Sequence, residues 1–238
     1  MYEYLIGAIV FGIPFLLFLV LRKDLRKPMM WTAIVYIGLS GTLVSFWYFL
    51  RQFVYLGEPI VPSYWYPPTF FNLGRITGFG GIEDILWLIF ISGIATCGYE
   101  IVYHKKIKVK RTYHLHLAAI IISFFSFFIF QYFFPINLIY GLSFSYIIGA
   151  LVLWIDRRDL AKHSIAGAAV FVGVYLIAFI IVIVVFPNFI NNFYNLQNLS
   201  GIIFIGMPLE ELLYAASFGL MWAPMYEYAH EEKCVDEK

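Results

Sequence analysis

Two pairs of adjacent carboxylates stand at the start of strongly apolar segments and are the residues best suited to chemistry in this chain. Glu83-Asp84 opens one segment and Glu210-Glu211 opens the other, at a constant offset of 127 residues (83 to 210). The same offset carries Tyr99-Glu100 onto Tyr226-Glu227. An ionisable side chain at membrane depth is costly and is a functional-site candidate by default. Because a buried carboxyl group can keep its proton near neutral pH, the pairs predict acid catalysis on an apolar substrate.

Neighbouring positions on a helix point about 100° apart, so the two acids of one pair cannot face the same pocket equally. We therefore expect one acid of each pair to face a cavity and the other to bind backbone groups or Arg75. The alternative is an ordinary helix start, because Pro208 at the first helical position and acids in the first turn suit the helix dipole. The recurrence of the pairs and their apolar surroundings favour a functional role.

The elements that would position these acids are membrane helices. Hydrophobic residues make up 62% of the 238 residues and charged residues only 13%, well below the charged share of a soluble domain. Apolar runs long enough to cross a ~30 Å hydrocarbon core as helices lie at about 2–21, 30–50, 82–103, 114–134, 136–155, 165–186 and 202–228. The sequence therefore predicts an all-α, polytopic membrane protein with seven transmembrane helices.

The positive charges predict how these helices are oriented, since Lys and Arg accumulate in cytoplasmic loops. Fourteen of the 16 Lys and Arg residues fall at 22–27, 105–111, 157–162 and 233–238, and only Arg51 and Arg75 fall in the other loops. Seven spans place all four basic segments on one side. We therefore predict an integral protein of the cell membrane with its N-terminus outside and its C-terminus in the cytoplasm.

The chain also contains an internal repeat beyond the acidic pairs. Arg22-Lys23-Asp24-Leu25 follows the first span, and Arg157-Arg158-Asp159-Leu160 follows the fifth, at an offset of 135 residues (22 to 157). Two three-helix units joined by a single linking helix would run parallel in the membrane. We therefore divide the chain into a first repeat at 1–104, a basic linker with the fourth span at 105–135, a second repeat at 136–230 and a cytoplasmic tail at 231–238.

The outer segment 51–81 carries Tyr64-Trp65-Tyr66-Pro67-Pro68. Aromatic residues at this depth are typical of a membrane-interface belt, and a cap that contacts the substrate is the alternative. Aromatic residues make up 21% of the chain. Ring faces stabilise a buried cation by about 2 kcal/mol when it is desolvated.

The sequence predicts neither a cofactor nor a metal site. No Gly-x-Gly-x-x-Gly motif follows a predicted strand, which argues against a bound flavin or nicotinamide. His104, His114 and His116 lie beside the basic segment 105–111 without metal-ligand spacing. The two cysteines, Cys97 in a span and Cys234 in the tail, are not expected to pair.

Both acidic pairs lie within motifs that resemble a known family. The run from Tyr64-Trp65 through Leu73-Gly74-Arg75-Ile76 and Gly78 to Ile82-Glu83-Asp84 resembles the first signature of the lycopene cyclase domain, and Pro208-Leu209-Glu210-Glu211 resembles its Pro-x-Glu-Glu signature. These are small, membrane-integral, non-flavin carotenoid cyclases that occur as heterodimers or single-chain fusions. The chain resembles a fusion, with the likeness covering about 1–104 and 136–230.

The resemblance implies an intramolecular lyase or isomerase that converts the linear ends of lycopene into β-ionone rings, with γ-carotene as the intermediate. Protonation at C2 of the end group gives a cation at C1, the C5=C6 bond attacks it, and a proton leaves C6. β and ε rings, cyclisation of one or both ends, and C40 and C50 substrates are all compatible with the motifs.

The resemblance also implies the site residues. The catalytic candidates are Glu83, Asp84, Glu210 and Glu211. The candidates for substrate contact are Trp65, Arg75, Trp87, Pro208 and Tyr214. Because Gly81 stands where the signature has proline, we favour Glu210 and Glu211 over the first pair as the proton donor.

Other functions fit less well. The main alternative is a proton-coupled membrane transporter, since parallel repeats, glycine-interrupted helix starts and buried acids suit one. An intramembrane CAAX-type protease would need an arginine at 214 or 215 and histidines in the later spans, and a retinal protein would need a lysine inside the last span. The sequence has none of these.

The expected partners follow from the same reasoning. They are a carotenoid substrate, lycopene, and the lipid bilayer, with no nucleic acid. A homo-oligomer, or an association with other carotenoid enzymes, is also compatible with the sequence.

Overall fold

The computed structural model describes residues 2–108, 116–230 and 233–236 and is built mainly of helices. The first half contains three long helices, with two short ones in the segment before the third. They are α1 (Glu3–Leu21), α2 (Arg26–Leu50), α3 (Ile60–Ser63), α4 (Leu73–Thr77) and α5 (Ile82–Val102).

The second half has two long helices and four shorter ones. They are α6 (Ala118–Phe133), α7 (Leu138–Asp156), α8 (Ala161–Val185), α9 (Phe189–Phe193), α10 (Leu209–Trp222) and α11 (Met225–His230). Two strand pairs complete the described fold: β1 (Lys105–Lys108) pairs antiparallel with β4 (Lys233–Asp236), and β2 (Ile203–Phe204) pairs antiparallel with β3 (Met207–Pro208).

The helices α1 and α2 match α7 and α8 in length. α1 and α7 have 19 residues each, α2 and α8 have 25 each, and the second set begins 135 residues after the first (3 to 138 and 26 to 161). The turns between them also correspond: Arg22 binds Asp24 through two nitrogens, and Arg157 binds Asp159 in the same way. Each turn is therefore closed by a bidentate ion pair.

Five helical segments are long and apolar enough to cross a membrane, which fits the predicted class of integral membrane protein. They are Glu3–Leu21, Lys23–Leu50, Ile82–Val102, Leu138–Asp156 and Arg158–Val185. The predicted fourth span is the shorter α6, of 16 residues, and the first residues of that span lie outside the described part of the chain.

The predicted seventh span, 202–228, is not one helix. It begins with the β2–β3 hairpin, becomes helical at Leu209, and is interrupted after Trp222. Gly206 in the hairpin has a φ of 82°, in the left-handed region that favours glycine. Pro224 accounts for the interruption, because proline has no N–H to donate to the carbonyl four residues earlier.

α5 and α10 lie at the centre of the fold. α5 packs against α1, α2 and α8, and α10 packs against α7, α8 and α5. Gly219 permits the close contact of α10 with α8, since a Cβ atom there would lie 2.8 Å from the Cα of Ala168. The two central helices begin with the two acidic pairs, so packing of the helices brings the pairs into one region.

Several basic segments meet at the end of the fold opposite the acidic pairs. Arg22 donates to the carbonyl oxygen of Lys105 at 2.7 Å, and the β1–β4 pairing joins this segment to the end of the chain. The amide of His116 donates to the carbonyl of Ala229 at 3.1 Å. The segments that follow α1 and α5 and precede α6 are therefore close together.

Candidate functional site

The first acid of each pair is held by the backbone of a preceding loop. Glu83 Oε1 accepts from the Phe70 amide at 2.8 Å, and Glu210 Oε1 accepts from the Ser200 amide at 2.7 Å and from the Tyr140 hydroxyl at 2.6 Å. Both side chains are buried, and the second oxygen of each has no hydrogen-bond partner among the described residues. Glu83 and Glu210 therefore anchor the loops that enter α5 and α10.

The second acid of each pair lines a cavity between the helices. Asp84 Oδ1 accepts from the Tyr4 hydroxyl at 2.5 Å, and its Oδ2 accepts from the Gly81 amide at 2.6 Å. Glu211 lines the same cavity. This geometry agrees with the expectation that one acid of each pair faces a cavity and its neighbour binds the backbone. Arg75, the other expected partner, is exposed on α4.

Glu211 accepts hydrogen bonds from three tyrosines. Tyr64 and Tyr194 donate to its Oε1 at 2.7 Å each, and Tyr175 donates to its Oε2. Burial raises the pKa of the Tyr64 and Tyr194 phenols well above the ordinary value of 10.0, and the neighbouring Glu211 carboxylate raises it further. Both phenols therefore remain protonated donors at neutral pH.

The residue three positions before each cavity acid explains why Asp84 and Glu211 have different hydrogen-bond partners. Gly81 is the N-cap of α5, and its N–H donates to the Asp84 side chain, which is the half of a capping box that a glycine can form. Pro208 is the N-cap of α10 and has no N–H to donate. Glu211 thus has no equivalent of the bond that holds Asp84 to its own helix, and its carboxylate is bound by tyrosines of other elements.

The cavity has a volume of about 630 Å³ and a predominantly apolar and aromatic wall. Tyr36 stands at the centre of one hydroxyl cluster, 2.8 Å from the Tyr146 oxygen and 2.9 Å from the Tyr214 oxygen. The Trp87 ring stacks on Tyr214 with centroids 5.9 Å apart. The wall therefore offers ring faces and hydroxyl groups beside two carboxyl groups.

The segment between α3 and α4 and the segment that follows α9 pack together over this cavity. The Tyr66 amide donates to the Phe193 carbonyl at 2.8 Å, and the Asn195 amide donates to the Tyr64 carbonyl at 2.9 Å. Tyr64, Trp65 and Tyr194 line the cavity. The geometry favours the cap over the interface belt for this part of the aromatic segment.

Of the residues expected to contact a substrate, three line the cavity and two do not. Trp65, Trp87 and Tyr214 are on its wall. Arg75 is exposed, and the buried Pro208 caps α10 without lining the cavity. The sequence analysis did not identify the tyrosines that bind the acids: Tyr4, Tyr64, Tyr140, Tyr175 and Tyr194. Their signal, a polar group inside an apolar run, is shared by many of the 18 tyrosines.

A second buried cluster lies near the other end of α5. His163 Nε2 is 3.2 Å from Glu100 Oε1, and one potential ligand atom from each of Glu100, His163 and Glu227 lies within 4.8 Å of the others. His163 is in the first turn of α8, which begins four residues before the predicted span 165–186. These three side chains are the described residues with a donor set that could hold a cation.

The free cysteine Cys97 is buried in α5. His104 is exposed, His116 Nδ1 lies 3.4 Å from Asp156 Oδ2, and His114 lies outside the described residues. Neither His104 nor His116 belongs to the Glu100 cluster.

The fold and this site define a class: a helical, integral membrane protein in which two carboxyl groups share a closed aromatic cavity. The comparison with protein families gives the particular family, because residues 137–229 match the family described as lycopene cyclase. This part of the chain, which includes α7, α8, α10 and Glu210-Glu211, is similar to the lycopene cyclase family.

The family match supports a role as a carotenoid cyclase, and hence as an enzyme. The match does not include residues 1–104, so the likeness of the first half to the same domain stays a prediction. No curated protein and no solved structure matched the chain. Nothing in these comparisons supports a transporter.

Proposed function

We propose that the chain is a lycopene β-cyclase, which converts the linear ends of lycopene into β-ionone rings by acid catalysis with γ-carotene as the intermediate. The observation that carries this proposal is that Asp84 and Glu211, one acid from each half, line the same aromatic cavity. The lycopene cyclase match over residues 137–229 supports a carotenoid substrate.

The reaction needs a proton donor, a proton acceptor and an environment that tolerates a carbocation. A proton is added to C2 of the end group, and the resulting cation at C1 is attacked by the C5=C6 π electrons to form the C1–C6 bond. The cation then at C5 is neutralised when C6 loses a proton. The two cavity carboxyl groups suit the first and last steps.

The cavity wall suits the intermediate cation. Trp87, Tyr214 and Tyr175 present rings to the cavity, and an aromatic face stabilises a desolvated cation by about 2 kcal/mol. A wall with few polar groups also excludes water, which would otherwise add to the cation and form an alcohol.

We further propose that the chain crosses the membrane seven times as two parallel repeats, 1–104 and 136–230. The equal lengths of α1 and α7 and of α2 and α8 support this proposal. α10 and α11 have 14 and 6 residues within the segment 209–230, and 22 residues at the rise of a helix would measure about 33 Å, enough to cross a ~30 Å core. The basic segments that meet near β1 would face the cytoplasm.

The experiment is to express the chain in a host that accumulates lycopene and to separate the pigments by chromatography. A β-cyclase converts lycopene to γ-carotene and β-carotene. A host that makes and inserts the protein but retains lycopene as its only carotenoid would contradict the proposal, whereas a product with ε rings would correct the ring type alone.

A further inference from the structure

We propose that the two cavity acids have different roles: Asp84 is the proton donor, and Glu211 is held as a carboxylate that receives the proton. Tyr64, Tyr175 and Tyr194 would then be positioning residues that keep Glu211 ionised. This inference rests on the proposed cyclase function, and it replaces the sequence-based preference for Glu210 and Glu211 as the proton donor.

The hydrogen bonds of Glu211 suit the ionised form. An ionised carboxylate only accepts hydrogen bonds, and a phenol is a good donor. Three hydroxyl groups donate to this single side chain, two to Oε1 and one to Oε2. A carboxylate that accepts two or three hydrogen bonds is strongly stabilised in its charged form. A proton on Glu211 would weaken the acceptance of hydrogen bonds at the oxygen that carries it.

Asp84 accepts hydrogen bonds from fewer donors than Glu211 does, and its side chain is one methylene group shorter. It accepts from one hydroxyl, that of Tyr4, and from the Gly81 amide. Asp84 lines the cavity and is partly exposed, whereas Glu211 is 5% exposed, so Asp84 is the more accessible of the two acids to a substrate. Two carboxyl groups that share one apolar cavity resist being ionised together. The single proton is therefore best placed on Asp84, the acid with less support for its charge.

This assignment gives a balanced sequence of steps. Asp84 loses its proton to C2, and the cation formed at C1 is consumed as the C1–C6 bond forms. The C6–H bond then breaks, its electron pair forms the C5=C6 bond of the β ring, and Glu211 takes the proton. Glu211 finally returns this proton to Asp84, so that ring closure consumes no proton overall.

The assignment can be tested without substrate. The measurement is the difference between the infrared spectra of the wild type and of each acid variant, both purified and placed in lipid vesicles. The probe is the C=O stretch of a protonated carboxyl group, which shifts when the sample is transferred to heavy water. We expect Asp84→Asn to remove such a band and Glu211→Gln to remove carboxylate bands instead. A protonated band that is lost in Glu211→Gln and kept in Asp84→Asn, or unchanged in both variants, would overturn the assignment.

The tyrosines provide a second measurement that does not depend on removing an acid. Tyr194→Phe and Tyr64→Phe each delete one donor to Glu211, so we expect a new protonated-carboxyl band that disappears when Glu211→Gln is added. A residue with only a structural role would not create that band. Tyr132→Phe, at an exposed site on α6, is the matched control and should leave the spectrum unchanged.

These spectra separate the two levels of the proposal. If the bands behave as expected but the lycopene-producing host forms no rings, the cyclase function fails and the protonation states stand. If rings form but Tyr194→Phe and Tyr64→Phe produce no new band that depends on Glu211, the division of roles is wrong and the cyclase function stands.

Discussion

Gly81 and Pro208 occupy the same position before the two cavity acids, yet they impose different geometry. The Gly81 N–H holds Asp84, while Pro208 has no N–H with which to hold Glu211. Gly81 is also confined: a Cβ atom there would lie 2.8 Å from Glu83 Oε2 and 2.8 Å from the Thr69 Cβ. The departure from proline at this position is thus linked to how Asp84 is presented to the cavity.

Gly81→Ala tests this at the scale of one residue. The added methyl group must displace Glu83 or Thr69, and overpacking of this kind costs about 1–3 kcal/mol. We expect a lower midpoint of thermal unfolding in detergent. Gly173→Ala in α8 is the matched control, because a Cβ there meets nothing within 4 Å and alanine favours a helix. Equal midpoints for the two variants would contradict the packing argument.

The tyrosines around Glu211 predict a response to alkaline pH. The pKa values of Tyr64 and Tyr194 are raised in the folded protein above their ordinary 10.0, so the unfolded chain loses these protons first. Their contribution to stability is present below about pH 10 and falls as the pH rises above it. Unfolding midpoints across this range should fall less steeply for Tyr194→Phe than for the wild type. A slope as steep as that of the wild type would exclude this linkage.

The residue scale also shows what sequence reasoning can reach. The four acids were identified because charge is rare in apolar segments and the pairs recur at a fixed offset. Tyr64, Tyr175 and Tyr194 were not, because their meeting at Glu211 depends on the packing of α8 and α10 and on two distant loops. Helical periodicity correctly separated the two acids of each pair, since it depends only on local geometry.

At the scale of elements, the β2–β3 hairpin sets where α10 begins. The Ile202 carbonyl accepts from the Leu209 amide at 2.9 Å, and the hairpin returns the chain to Pro208. Hydropathy predicted one apolar span at 202–228, because the hairpin residues are as apolar as a helix. The turn signals, Gly206 and Pro224, carried the missing information about where the helix starts and where it breaks.

Gly206→Ala tests the role of the hairpin. An alanine at a φ of 82° is strained by about 1–2 kcal/mol, and its Cβ would lie 3.2 Å from Ile183 Cδ1. We expect a lower unfolding midpoint and reduced pigment conversion, because the start of α10 carries Glu210 and Glu211. Gly38→Ala, where a Cβ meets nothing within 4 Å, is the control. Wild-type stability and conversion in Gly206→Ala would show that the turn does not position the helix.

At the scale of the whole molecule, the charge distribution predicts topology. The basic segments were expected on one side of the membrane, and the contact of Arg22 with Lys105 and the pairing of β1 with β4 bring several of them together. The cavity acid Asp84 lies at the other end of α5, since Asp84 and Glu100 are 16 positions apart (84 to 100), about 24 Å along the helix axis.

Reporter fusions test this topology. A reporter after Lys238 should be cytoplasmic and one inserted at the exposed Asn192 should be outside, because seven crossings separate the positive segments from the outer loops. Enzymatic reporters active on only one side of the membrane provide the measurement. Reporters that are active on the same side would contradict the seven-span arrangement.

The most direct test of the central claim is the pigment output of Asp84→Asn and Glu211→Gln in a lycopene-accumulating host, measured at equal amounts of inserted protein. Loss of an acid or base that acts in the chemical step lowers the rate by about 10²–10⁴-fold, so each variant should accumulate lycopene. Glu58→Gln, an acid exposed on the outer segment and 3.5 Å from Arg51, is the control and should retain conversion. Near-normal ring formation by both cavity variants would contradict catalysis by these acids.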